Sequence, residues 1–307
     1  RGIPRILTKK LLKELIINKY KDFFEKHQNK FNIQFKNLKE RFEKEKIKTA
    51  SSFTFEWLNY PRVIKEFEKD WKRFFYPYIK PNNIKNKIVV DIGCGMAKHG
   101  FFTAKYGAKY IGIDLSEAVE AAYHNTKRFR SLIIQADVYN LPLKGPLIDY
   151  YYSIGVIHHL PTPKEGFLKI INLMKKDSKI LIWVYSTYKN KRAFYIYNPL
   201  RKITTKLSKK KLYYLCHIPA ILTHVFNYIS RIFEKFHLKS IAKRIPFYYY
   251  NTFPYRFKHN DSFDILASPI QKYFSKDEVE EWFKDGNLQT YKLVYDVFQG
   301  IKGYGTK

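Results

Sequence analysis

Between residues 87 and 185 the chain alternates short apolar runs with helical stretches, and few architectures accept that order. The apolar runs cover residues 88–92, 110–113, 132–135, 148–154 and 180–185. Helical stretches lie near residues 101–106, 117–127 and 164–174. Strand-length runs separated by helices predict an α/β fold, a parallel, doubly wound sheet. In such sheets ligands bind at the carboxyl ends of the strands. With 45% hydrophobic and 18% aromatic residues over 307 positions, the chain can bury the core this requires.

The first turn of the sheet lies in "VVDIGCGMAKHGFFTAKYGAKYIGIDLS". A dinucleotide fingerprint requires G-x-G-x-x-G, and here Gly93 and Gly95 are followed by Lys98 at the third position. No G-x-x-x-x-G-K-[ST] phosphate loop occurs. Asp91, two residues ahead of Gly93, would repel a pyrophosphate and favour a cation such as an amino-acid ammonium. Asp114 ends the second strand, where its oxygens can accept from both hydroxyls of a ribose. Asp137 ends the third, placed to accept from an adenine amino group. An amine, a ribose and an adenine without phosphate describe S-adenosylmethionine.

The segments "DIGCG", "GIDLS", "QADVYNLP" and "YSIGVIHHLPTPKEGF" follow one another in the order and spacing of the class I S-adenosylmethionine-dependent methyltransferases, which this stretch resembles. The resemblance implies a Rossmann-like methyltransferase sheet, mostly parallel with its last strand antiparallel, and S-adenosylmethionine as cofactor. Carried over residue by residue, it implies cofactor contacts from Asp91, Gly93, Cys94 and Gly95, from Asp114, Leu115 and Ser116, from Asp137 and Val138, and from Ser153 and Ile154. Relatives often have a third glycine where this chain has Ala97, whose small side chain implies only slight reshaping. More weakly, "ASSFTFEWLNY" is similar to an aromatic segment that closes over the cofactor in one subgroup. "RGIPRIL" resembles the tail of a zinc-ribbon module in that subgroup; its cysteines would precede Arg1, so no metal is expected here.

Methyl transfer from a sulfonium is an in-line displacement that needs positioning more than activation. His158 and His159 follow the fourth strand, where one of them could serve as general base; the alternative is that they bond backbone and pack. His99 is open between the cofactor's methionine end and helix packing. Phe53, Phe55 and Trp57 could wall the sulfonium, since cations are attracted to aromatic faces.

Four regions are expected: an amino-terminal helical arm over 1–50, the cofactor-binding core over 51–186, a basic aromatic helical cap insert over 187–262, and completion of the core over 263–307. Residues 187–260 hold sixteen Lys and Arg against one acid, Glu234, within a chain of net charge +30. That charge admits three partners: an anionic small molecule or lipid-linked glycan under the cap, RNA, or solvent and another subunit. An anionic membrane surface is a further candidate, because residues 212–230 carry no Lys, Arg, Asp or Glu. His217, Pro219, His224 and Asn227 argue against a crossing there, as does the expected return of residues 288–298 to the sheet. Two cysteines, Cys94 and Cys216, supply neither a disulfide framework nor a metal pair. A cytoplasmic location is expected, peripheral to a membrane in one alternative.

Overall fold

A computed structural model describes residues 3–7, 41–143, 147–188, 190, 193–296 and 299–307. The arm expected before residue 41 therefore lies outside the described residues, apart from residues 3–7. The chain divides into two compact units, Arg1–Asn190 with Pro269–Lys307, and Lys191–Ser268. The first unit is built on strands β1 (Arg5–Ile6), β2 (Ile88–Ile92), β3 (Lys109–Asp114), β4 (Ser131–Ala136), β5 (Tyr150–Ile154), β6 (Lys179–Tyr185), β7 (Thr290–Tyr295) and β8 (Gly300–Thr306). Among the described residues the α-helices longer than four residues are, in chain order, α1 (Arg41–Asn59), α2 (Phe67–Phe75), α3 (Lys98–Lys105), α4 (Val119–Thr126), α5 (Pro163–Ile171), α6 (Asn198–Thr204), α7 (Lys209–Leu215), α8 (His217–Lys235), α9 (Tyr255–Ala267) and α10 (Lys276–Asp285).

Among the described residues the sheet runs β1-β4-β3-β2-β5-β6-β8-β7, parallel except for β8, which is antiparallel to both neighbours. This is the doubly wound, Rossmann-like α/β sheet expected from the alternation. The order reverses between β2 and β5, which opens a crevice outside their carboxyl ends. Alternate residues of each strand serve opposite layers. Val90, Ile92, Tyr151, Ile180 and Ile182 meet Phe167 and Ile170 of α5 and Val279 and Phe283 of α10 in one buried cluster. On the other face the Phe75 ring of α2 meets Tyr152 at 4.8 Å and the Phe74 ring meets Trp183 at 5.5 Å. Ser275 and Glu278 form a capping box at the start of α10.

Three features differ from the sequence reading. Helix α1 runs through the boundary expected at residue 50, and the Ser52 hydroxyl bonds the Lys48 carbonyl one turn back, at 3.2 Å. A further strand, β8, follows the one expected near residues 288–298. Its Gly300, Gly303 and Gly305 weaken any strand signal, and the rings of Trp183 and Phe283 occupy the space their side chains would take. The insert extends to Ser268 rather than 262, because α9 belongs wholly to the second unit. The carbonyls at its carboxyl end, which have no partner within the helix, accept from Arg201 (Ile265), Thr204 (Leu266, 2.8 Å) and Lys209 (Ala267).

Candidate active site

The turn after β2 is shaped by close approach. Gly93 has φ +79°, and a Cβ there would lie 2.4 Å from the Val156 side chain beyond β5. Gly95 has φ +52°, and a Cβ would meet the Trp57 indole nitrogen at 2.9 Å. Only glycine fits either position without displacement. Ala97 also adopts the left-handed region, φ +61°, at the start of α3, so the turn has a glycine-like backbone there.

Asp91 is buried and its carboxylate is held by two phenols. Tyr110 donates to Oδ2 at 2.9 Å, and Tyr152 donates as well. Burial pushes the Asp91 carboxyl up to about 7; the phenols oppose that, and Asp114 adds to it. Tyr152 also meets the Thr103 hydroxyl at 3.3 Å, and Thr103 accepts from the Trp71 indole at 3.0 Å. This buried chain from strand to α2 has no local sequence signature, because its members are far apart in the chain.

Asp114 closes the turn from the neighbouring strand. Its Oδ2 accepts from Gly95 N–H at 2.8 Å, and its Oδ1 accepts from the Ser116 N–H at 2.8 Å and hydroxyl at 2.6 Å. Burial raises its carboxyl pKa despite those bonds. The Leu115 backbone bonds the same carboxylate, so a ribose would share Asp114 with the turn that holds it. Leu115 beside it accepts from Gln135 Nε2 at 3.0 Å, which ties the ends of β3 and β4 together.

Asp137 caps the short turn that begins at Val138, taking Tyr139 N–H on Oδ1 at 3.1 Å. Its Oδ2 pairs with the buried Lys46 Nζ of α1 at 2.7 Å. The adenine contact expected there must therefore share the carboxylate with a lysine that sequence reasoning missed, 91 residues away. Ser153 donates to the Ile92 carbonyl at 3.0 Å and so braces β5 against β2, while Ile154 stays partly exposed at the strand end. The Cys94 thiol is buried, and burial beside two acids pushes its pKa well up, which keeps it protonated.

Helix α1 lies along the same strand ends. Thr54 accepts from the Glu117 N–H at 3.1 Å, Trp57 packs on Gly95, and the Phe53 ring meets His159 edge-on at 5.1 Å. The histidine pair divides. The His158 ring is packed among His159 (4.1 Å), Tyr185 (4.5 Å) and Trp183. His159 places Nδ1 on the Ile270 carbonyl at 2.5 Å, which assigns the proton to Nδ1 and leaves Nε2 as the basic nitrogen. His99 is buried between Phe74 and Phe75, and burial with two neighbouring cations drives its pKa well down, so it stays neutral.

The arrangement fits a ligand with a cationic amine and a ribose. Carboxylates end three adjacent strands around a turn whose glycines admit close approach, and one of them, Asp91, stands where a phosphate cradle would need positive character.

Residues 90–182 match the protein family described as a methyltransferase domain. Among curated proteins, the tRNA U34 carboxymethyltransferase of Cellvibrio japonicus is 27% identical over 134 residues, 41% of this chain and 41% of that protein. The protein of the same name from Hahella chejuensis is 31% identical over 126 residues, 38% of this chain and 37% of its own. The chain thus spans about two fifths of these relatives' length. Among solved structures, magnesium protoporphyrin IX methyltransferase from Synechocystis with bound SAH matches at 12% identity and TM-score 0.43, over 96% of this chain and 99% of that one.

Proposed function

We propose that this chain, whose core is a class I S-adenosylmethionine-dependent methyltransferase domain, transfers a methyl group to a hydroxyl, amine or carboxyl of a small metabolite or of a surface-glycan or lipid-linked precursor. The row of Asp91, Asp114 and Asp137 around a glycine turn carries the donor half of this reading. S-adenosylmethionine supplies, when bound, a methyl group already activated by its sulfonium. Asp91 would hold the methionine ammonium and Asp114 a ribose hydroxyl. Phe53 and Trp57 exclude water and offer ring faces to a cation. His159, oriented by Ile270, takes the acceptor's proton at Nε2, while His158 supports that ring by packing.

An RNA acceptor is the second reading. The names of the curated relatives favour it over a free small metabolite, and so does the net charge of +30. Those names belong to proteins of which this chain spans two fifths, and the matched domain ends before the second unit begins. Incubation with methyl-labelled donor, in parallel with a lipid-linked glycan extract and with total tRNA, separates the two. Label in the glycan fraction is expected, and label in tRNA alone would replace the first reading with the second. With the accepted substrate, His159→Ala should lower kcat by roughly 10²–10⁴-fold while leaving donor affinity unchanged. An unaltered kcat would remove His159 from the chemistry.

A further inference from the structure

Helix α8 is built in reverse of a water-facing helix. It turns Ala220, Thr223, Asn227 and Ser230 inward, where Asn227 Nδ2 donates to the Phe247 carbonyl at 2.8 Å and the Ser230 hydroxyl to the Ala242 carbonyl at 3.3 Å. Outward it presents Ile218, Leu222, Val225, Ile229, Ile232 and Phe236, with Ile218 at 59% and Phe236 at 68% exposure. These positions recur at helical spacing, so they form one stripe about 27 Å long at 1.5 Å per residue. A stripe of that kind, uncovered within its own unit, marks a docking surface.

Charge identifies the occupant. The unit Lys191–Ser268 contains fifteen Lys and Arg against three acids. Lys210, Lys211, Arg231, Lys235, Lys239 and Lys243 are exposed, whereas Glu234, Asp261 and Asp264 are partly buried. Glu234 and Asp261 accept from Tyr248 and Tyr250 within the unit. Two copies of so positive a surface would repel each other. RNA would engage the cations but has no use for an aliphatic stripe. No helix among the described residues is long and apolar enough to cross a membrane. We propose that α8 lies in the plane of an anionic phospholipid bilayer, its aliphatic stripe among the acyl chains and its flanking lysines at the headgroups. Docking goes beyond the methyl-transfer reading and does not depend on turnover.

The test is flotation of the full chain with vesicles of phosphatidylcholine, alone or mixed with phosphatidylglycerol. The chain is expected to float with the mixed vesicles and far less with the neutral ones. Leu222→Asp/Ile229→Asp should reduce flotation at least about tenfold, and Lys235→Glu/Lys239→Glu should reduce it in a salt-dependent way. If the aspartate pair unfolds the second unit, by circular dichroism, the milder Leu222→Ser/Ile229→Ser pair decides. The proposal is overturned if no vesicle retains the chain or if the stripe variants float like the wild type. It is equally overturned if the stripe variants instead dissolve a dimer or abolish RNA retention. Donor binding measured on the same preparation separates failure of docking from failure of the methyltransferase reading.

Discussion

At Asp91, burial and two phenols act in opposite directions, and burial wins, leaving a carboxyl that titrates near 7. Its folded pKa exceeds the unfolded value of 3.8, so the folded state keeps a proton that the unfolded chain has lost between those limits. Stability therefore falls as pH rises from about 4 to 7, by up to a few kcal/mol. Asp91→Asn should remove that slope, read as the difference between the two proteins' urea unfolding curves across this range. A bound ammonium reverses the preference, since it favours the charged carboxylate. Donor affinity should accordingly fall toward acid pH below about 7, with close to one proton released per donor bound near pH 6. Calorimetry in buffers of different ionisation enthalpy measures that release, and Asp91→Asn should abolish it. The carboxylates were legible in the sequence because each ends a strand run. Their partners Tyr110, Tyr152 and Lys46 were not, since nothing local marks which phenol or lysine will face them.

Helix α1 is the element whose role changes most between sequence and structure. Its aromatic half resembles a segment that closes over the cofactor in one subgroup, and the fold sets Phe53 against His159 and Trp57 against Gly95. Serine favours caps, yet Ser52 stands inside the helix and bonds back to it, so the boundary expected at residue 50 is no helix end. The Lys46–Asp137 pair joins this helix to the end of β4 inside the protein. Lys46→Met leaves a buried carboxylate without its cation and should cost about 3–5 kcal/mol in chemical unfolding. Replacing both partners with apolar residues, as in Lys46→Met/Asp137→Leu, should recover most of that. Strands β2 to β6 were legible because parallel strands buried on both faces read as continuous apolar runs. Strand β8 escaped because its glycines respond to the bulk of Trp183 and Phe283, which only the folded sheet reveals.

Across the whole molecule, two patterns coexist: a sheet unit with an ordinary apolar core and a second unit with an aliphatic exterior stripe and a large excess of cations. Composition announced the cations but not the stripe, because an apolar helical face reads the same whether it points inward or outward. If RNA is the acceptor, its retention should weaken linearly in log–log terms as salt rises, with a slope near −0.7 per neutralised phosphate. Under the lipid-linked reading, catalysis on a short soluble acceptor should survive the same salt. Both acceptors presuppose the same donor site. Calorimetric titration of S-adenosylhomocysteine into the full chain tests that site most directly. Saturable binding at one site per chain, weakened about tenfold or more by Asp114→Ala, is the predicted result. No binding, or binding indifferent to Asp114→Ala, would contradict it.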